Sequence, residues 1–168
     1  MVESGRMTDR GEHLARCVEL AREALDDGDD PFGSVLVDRT GNVVAEARNR
    51  ESSDADPTAH PELELARWAW RNLDADGRAS ATVYTSGEHC PMCAAAHGWV
   101  GLGPIVFAVS ADQLSGWRAS WGLPASPVAP LPLSAVLPGT PVTGPVSPYD
   151  DLMFALHEEA ARRRGGEA

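Results

Sequence analysis

The sequence predicts an α/β fold, because helical and strand-like apolar patterns alternate along most of its 168 residues. Some segments repeat apolar residues every three or four positions, as helices do, and others are short continuous apolar runs, as buried strands are. Between residues 11 and 109 the predicted order is α-β-β-α-β-α-β, which is typical of a sheet covered by helices. The composition, with 43% hydrophobic and 23% charged residues, agrees with one compact domain.

The first three predicted elements are one helix and a pair of strands. Apolar residues at helical spacing occupy residues 11–26. Apolar runs follow at residues 32–37 and 43–47. Between them lie Gly41 and Asn42, which suit a tight turn, so the two strands are predicted to form a hairpin.

The next four elements alternate between helix and strand. A helical apolar pattern begins after Thr58 and continues to Leu73. A strand is predicted at residues 81–85, a helix at residues 90–99 and a strand at residues 105–109.

Both ends of the chain depart from this alternation. Residues 1–9 show no pattern and are predicted to be a flexible leader before a single domain over residues 10–168. Residues 122–148 are rich in proline, which predicts a long irregular loop, and the apolar residues among the prolines favour packing over disorder. Residues 149–164 carry an apolar stripe and are predicted to form a C-terminal helix.

The charge and the cysteine content exclude several classes of protein. The formal net charge is −11, from 14 basic and 25 acidic residues, which argues against tRNA or another polyanion as partner. Three cysteines do not make a disulfide framework, and no apolar stretch is long enough to span a bilayer. We therefore expect a cytoplasmic protein with no membrane partner.

One group of residues indicates a catalytic zinc site. His60 and Glu62 form a His-x-Glu motif, and Cys90 and Cys93 follow as a Cys-x-x-Cys motif. One imidazole and two thiolates fill three positions of a tetrahedral Zn²⁺ and leave the fourth for water, while Glu62 can move protons. The joint pattern matches the signature of zinc nucleobase deaminases. Alternatives are a redox Cys-x-x-Cys pair, a structural zinc site, and for Glu62 a solvated carboxylate at a helix N-terminus.

Further motifs extend this pattern along the chain, from the apolar run at residues 31–37, through Asn49 and residues 56–60, to residues 84–86 and 90–93. Together they resemble the cytidine deaminase superfamily over roughly residues 10–110, and most of all its guanine deaminase and tRNA adenosine deaminase branch. Three positions depart from that branch. Pro61 stands where alanine is usual, Gly87 precedes Glu88, and His89 replaces a proline.

The resemblance implies a three-layer α/β/α sandwich with a central mixed sheet of about five strands. It also implies a Zn²⁺ cofactor bound by His60, Cys90 and Cys93, with Glu62 as the catalytic proton shuttle.

The resemblance further suggests which residues contact the substrate. Asn49 matches a position whose amide hydrogen-bonds a base, and Phe32 is expected in the pocket wall. Ala59, His89 and Trp99 complete the predicted substrate-binding set. For Asn49 the alternative is a turn residue, for Trp99 a core aromatic, and for His89 a residue that only covers the site.

The function expected from these features is hydrolytic release of ammonia from a free nucleobase or a related amino-heterocycle, with guanine as the leading substrate. The motif does not separate guanine from cytosine, adenine, a triazine or a nucleoside. A non-catalytic zinc-binding or RNA-associated module is the alternative of another class, and the intact Glu62 speaks against it. We expect the chain to form a homodimer.

Overall fold

The computed structural model describes residues 2–165, with side chains from residue 10 onwards. Helices and strands alternate along this part of the chain. In chain order they are α1 (Val2–Asp26), β1 (Gly33–Val37), β2 (Val43–Arg48), α2 (Pro61–Asn72), α3 (Ala75–Ser80), β3 (Thr82–Gly87), α4 (Pro91–Val100), β4 (Ile105–Val109), α5 (Ala111–Ser120), α6 (Leu133–Val136), β5 (Val142–Thr143) and α7 (Tyr149–Gly165).

The five strands form one mixed sheet in the order β2-β1-β3-β4-β5. Strand β1 pairs antiparallel with both β2 and β3, whereas β3, β4 and β5 run parallel. This arrangement confirms the expected mixed sheet of about five strands. The fifth strand has only two residues, which is too short for any apolar periodicity to reveal it in the sequence.

Helices cover both faces of the sheet and make the three expected layers. Helices α1 and α7 pack together on one face, where Leu14, Val106 and Met153 share a buried core. Helices α2 and α4 pack on the other face, where Leu36 and Leu65 belong to a second core. Because side chains alternate across a strand, β3 contributes Tyr84 to the first core and Val83 to the second.

Two expectations about the chain ends are revised. Helix α1 starts at Val2, so the backbone of the predicted leader over residues 1–9 belongs to this helix from Val2 onwards, while its side chains lie outside the described residues. The proline-rich segment 122–148 contains α6 and β5 rather than loop alone. Its Leu133 is buried against β4, which agrees with the expected packing.

Two short helices, α3 and α5, were not predicted from the sequence. Helix α5 has a capping box, in which Ser110 and Gln113 exchange side-chain and backbone hydrogen bonds, but its apolar periodicity is weak. Helix α3 begins after Asp74, whose carboxylate caps it. Among the helices of residues 2–165, none is both long enough and apolar enough to cross a membrane.

Candidate functional site

The N-termini of α2 and α4 meet at the site. His60 and Cys90 occupy the N-cap positions of these helices, followed in each by a proline at the first helical position. An N-cap side chain usually accepts a hydrogen bond from the first turn, but neither His60 nor Cys90 makes one. Both side chains are therefore available to bind a ligand, and the two helices pack side by side so that these ends come together.

Three possible metal ligands lie at zinc-binding distance from each other. The Nδ1 atom of His60 is 3.6 Å from the Sγ atoms of both Cys90 and Cys93. A tetrahedral zinc with usual bond lengths requires N···S separations of about 3.6 Å. All three ligand atoms lie within 4.8 Å of one another. The geometry therefore fits Zn²⁺, and within the described residues no fourth His, Cys, Asp or Glu joins the group.

The pKa values of the three ligand residues favour the binding of a cation. The hydrogen bond from the Cys93 thiol, and then the His60 imidazole, lower the pKa of Cys90 to about 4. The neighbouring Cys90 thiolate and then burial raise the pKa of Cys93. Cys90 and Glu51 raise the pKa of His60 to about 10. Cys90 is thus the thiolate of the cluster, and a divalent ion would displace the protons on Cys93 and on His60 Nδ1.

Glu51 orients the imidazole from the side opposite the thiols. Its Oε1 atom lies 3.2 Å from His60 Nε2, and its Oε2 atom accepts a hydrogen bond of 2.9 Å from Asn49 Nδ2. Such a carboxylate keeps the proton on Nε2 and leaves Nδ1 free for the metal. Sequence analysis missed Glu51, because nothing in an irregular loop shows that its side chain faces a ligand.

Removal of this carboxylate should weaken metal binding. We expect Glu51→Ala to lower zinc affinity by about 10- to 100-fold, which is the usual effect of losing a carboxylate behind a ligating histidine. Competition with a zinc chelator measures the change. Glu64→Ala is the matched control, since Glu64 lies exposed on α2. Equal zinc affinities in the two variants would contradict the role of Glu51.

Glu62 is held by a chain of buried hydroxyl groups. Its side chain is on the first turn of α2, and the residue is only 6% exposed. Thr85 Oγ1 donates to Glu62 Oε1 at 2.8 Å, and Ser34 Oγ donates to Thr85 Oγ1 at 2.8 Å. Ser34 and Thr85 are direct partners in the β1–β3 pairing. Burial raises the pKa of Glu62, so this carboxyl can hold a proton more readily than a solvated one.

A cavity of about 150 Å³ opens beside these residues. Glu62, His60 and Cys90 line it together with three of the predicted substrate-binding residues, Phe32, Asn49 and His89. The rest of the lining consists of Pro61, Glu88 and Pro91 beside the ligands and of a mostly apolar wall from α5 and the proline-rich segment, namely Ala111, Leu114, Ser115, Arg118, Ser126, Val128, Ala129, Pro130 and Leu131. This second set was not predicted, because the approach of a distant segment leaves no local pattern.

The remaining two predicted substrate contacts, Ala59 and Trp99, lie outside this cavity. Trp99 is 87% exposed and lies beside Val136 and Leu137, not in the cavity. It follows Cys93 by six positions, a rotation of about 240° around the helix, which turns it away from the metal ligands. Ala59 lines a separate, charged groove on the other side of His60.

Asn49 and His89 both line the cavity but differ in their hydrogen bonding. Both ends of the Asn49 amide bond Glu51, through the Glu51 carboxylate and backbone N–H. His89 is 1% exposed, and neither of its ring nitrogens has a hydrogen-bond partner among the described residues. Burial lowers the pKa of His89, and then His97, whose ring lies 5.3 Å away, lowers it further. His89 is therefore a neutral imidazole with one donor and one acceptor.

Glu88 ties the proline-rich segment to the metal-binding loop. Its Oε2 atom accepts from the backbone N–H of Ala111 at 2.9 Å, and its Oε1 atom accepts from that of Leu133 at 2.8 Å. One carboxylate thus joins the start of α5 and the start of α6 to a residue two positions before Cys90. These bonds hold the apolar wall of the cavity against the ligands.

Comparison with known proteins supports this description. Residues 7–109 match the profile of the cytidine and deoxycytidylate deaminase zinc-binding region. The guanine deaminase of Bacillus subtilis is 38% identical over 96 residues, 56% of this chain and 61% of that protein. A probable cytosine deaminase of Schizosaccharomyces pombe is 34% identical over 105 residues, 61% of each chain. The chain thus spans about three-fifths of the length of these two relatives.

Solved structures agree on the fold. The guanine deaminase of Nitrosomonas europaea superposes with a TM-score of 0.67 at 22% identity, over 89% of this chain and 83% of that one. The guanine deaminase structure from Bacillus subtilis gives a TM-score of 0.56 at 32% identity, over 63% of this chain and 68% of that one. Since the matching profile covers more than half of the sequence and includes the three zinc ligands, the chain belongs to the cytidine and deoxycytidylate deaminase family.

Proposed function

We propose that this protein catalyses hydrolytic deamination of a free amino-substituted nucleobase, with guanine as the leading substrate. The observation that carries the proposal is that two of the zinc ligands, His60 and Cys90, line one small, mostly apolar cavity together with the buried Glu62. When bound by His60, Cys90 and Cys93, zinc supplies the Lewis acidity that lets water act as a nucleophile at neutral pH. Relatives that deaminate guanine and cytosine support the reaction type.

The role proposed for Glu62 is to move protons between water, ring nitrogen and leaving amine. Thr85 fixes one carboxylate oxygen, so the group presents a defined direction to the cavity. Its raised pKa allows Glu62 to accept a proton and to return it in a later step. The attacking water supplies two protons overall: one goes to the ring nitrogen and one to the amino group, which then leaves as ammonia, and Glu62 is the carboxyl group placed to deliver them.

The size of the cavity supports a free base over a nucleoside. Its volume of about 150 Å³ lies below the range of roughly 300–1,000 Å³ that is usual for sites of drug-sized ligands. Phe32 and the apolar residues of the proline-rich segment suit the faces of a planar ring. We infer that one heterocycle fits, with the amino group towards Glu62.

Ammonia release from a panel of compounds tests the proposal. The panel contains guanine, adenine, cytosine, an aminotriazine and the corresponding nucleosides. We expect guanine to give the highest kcat/KM and the nucleosides to give little turnover. Turnover of another base in place of guanine would change the assigned substrate, and zinc-loaded protein that releases no ammonia from any of them would overturn deamination.

The surface charge supports a small molecule rather than tRNA as the partner. The net charge of −11 opposes the approach of a polyanion. We also propose a cytoplasmic location, because the site needs two reduced thiols and reducing compartments preserve them.

We further propose that the chain forms at least a dimer. Two large aromatic side chains are exposed on the neighbouring helices α2 and α4, with Trp70 at 61% and Trp99 at 87%. Exposed aromatic residues are enriched where protein surfaces associate. Light scattering at micromolar concentration should give the mass of a dimer or a larger assembly. A monomer would contradict this prediction.

A further inference from the structure

Helix α5 places one arginine in the wall of the cavity. Leu114 and Arg118 are one helical turn apart, and both line the same cavity as Glu62 and His60. The zinc ligands and Glu62 come from the N-terminal ends of α2 and α4. Arg118 comes from the last turn of α5, so the metal-binding residues and this guanidinium line the cavity from separate elements of the fold.

The Arg118 side chain has little else to bind. Among residues 10–165, no carboxylate lies within ion-pair distance of it, and its one hydrogen bond is a long one of 3.4 Å, from Nη2 to the Pro124 carbonyl. Both carboxylates of the cavity are already engaged. Glu88 accepts two backbone N–H groups, and Glu62 accepts from Thr85. A guanidinium has five N–H donors, so most of those on Arg118 remain for a ligand.

The chemistry of guanine supplies acceptors for these donors. Its amino group is on C2, and the opposite edge of the molecule carries O6 and N7, which are both acceptors. Arginine binds this O6/N7 edge with two parallel hydrogen bonds in many complexes. Adenine instead presents an amino donor beside N7, and cytosine lacks this edge. A guanidinium in this wall therefore favours a 6-oxopurine.

We propose that Arg118 is the residue that selects the substrate, by donating hydrogen bonds to the O6/N7 edge of a 6-oxopurine whose C2 amino group faces Glu62. This inference rests on the proposed function and makes it more specific. It also gives the sole charged residue of the apolar wall a defined task.

Analogues of guanine test the role of Arg118. We compare guanine with 2-aminopurine, which keeps the amino group on C2 and lacks O6, in the native protein and in Arg118→Met. The native protein should prefer guanine by roughly 10- to 100-fold in kcat/KM, the discrimination of one bidentate pair. Arg118→Met should lose most of this preference, because guanine loses the hydrogen bonds to both O6 and N7, whereas 2-aminopurine loses only the one to N7 and its turnover falls less.

Two further variants sharpen the result. Arg118→Lys keeps the charge without the planar pair of donors and should recover part of the preference. Arg39→Met is the control, because Arg39 is an exposed arginine of the β1–β2 turn. Zinc content and circular dichroism confirm that each variant is folded and loaded.

The possible failures are distinguishable. Guanine turnover that is unaffected by Arg118→Met overturns the inference and leaves guanine deamination intact. Equal losses for guanine and 2-aminopurine also overturn it, because Arg118 then supports the pocket without reading the edge. A guanine nucleotide is the third test compound. If Arg118→Met lost turnover of the nucleotide but kept turnover of guanine, the guanidinium would bind a phosphate, and the inference would be wrong. Absence of guanine turnover in the native protein refutes the proposed substrate, and the inference falls with it.

Discussion

Replacement of Glu62 by alanine is expected to lower ammonia release by roughly 10²- to 10⁴-fold, the usual range for loss of a positioned acid–base group. The carboxyl is buried, and its pKa is raised by that burial, so no solvent-exposed group can take over its protons easily. The variant should still bind zinc, because all three ligands remain. Steady-state ammonia release and metal analysis of the same preparation measure both quantities.

Glu64→Ala provides the matched control for this prediction. Glu64 lies two residues further along α2 and is exposed, so its loss removes a carboxylate of the same helix without touching the cavity. Its activity should remain within about twofold of the native value, as expected for an exposed residue away from the site. If Glu62→Ala kept full activity, a different group would have to move the protons, and the assignment of Glu62 would be wrong.

Replacement of Cys93 by serine is expected to remove both zinc and activity. A serine hydroxyl is a poor substitute for a thiolate, since thiolates are preferred zinc ligands and the Zn–S bond is longer than a Zn–O bond. The Sγ atom that lies 3.6 Å from His60 Nδ1 would be lost from a buried position at the third helical residue of α4. Metal analysis should fall from one zinc per chain to almost none.

The same variant should also show how much zinc stabilises the fold. At a free zinc concentration of 100 times its dissociation constant, binding adds about 2.7 kcal/mol to the free energy of unfolding. For a chain of this size that shift raises Tm by roughly 5–10 °C. A chelator should therefore lower Tm in the native protein and leave Cys93→Ser unchanged.

The Cys17→Ala variant is the control for Cys93→Ser. It removes a thiol that is not a zinc ligand, so it distinguishes the effect of losing a ligand from the effect of losing any cysteine. Cys17 is fully buried among Leu20, Val35 and Val37 in the core beside α1, away from the metal ligands. The variant should keep one zinc per chain and its response to the chelator, although it is somewhat less stable. Zinc loss in Cys17→Ala equal to that in Cys93→Ser would contradict the ligand assignment.

The order of elements and the ligand types were predictable because both are local. The spacing of apolar residues within a segment indicates which face is buried. The predicted bounds therefore agree with the structure to within a few residues at most ends for the first helix, four strands and the helices after Thr58 and Cys90. His60, Cys90 and Cys93 were recognisable because the first turns of two helices hold them at short, regular spacing.

The groups that orient the ligands were not predictable. Glu51 reaches His60 from a loop, and Thr85 donates to Glu62 from β3, where its partner on β1, Ser34, donates to Thr85 in turn. Neither contact follows a helical or strand repeat, so the periodicity of the sequence does not reveal it. The exposed position of Trp99 was also not predictable, since a family position alone does not show which way a helix is turned against its neighbours.

By itself, the sequence determined the fold class, the three zinc ligands and the carboxyl proposed to be catalytic, because these depend on local periodicity and on chemically distinctive residue types. Only the tertiary structure decided the shape and polarity of the cavity. Its wall is built by α5 and the proline-rich segment, which Glu88 binds to the metal-binding loop through two backbone N–H groups. These long-range contacts also bring Arg118, the residue proposed to select the substrate, to the cavity, and they leave no periodic pattern in the sequence.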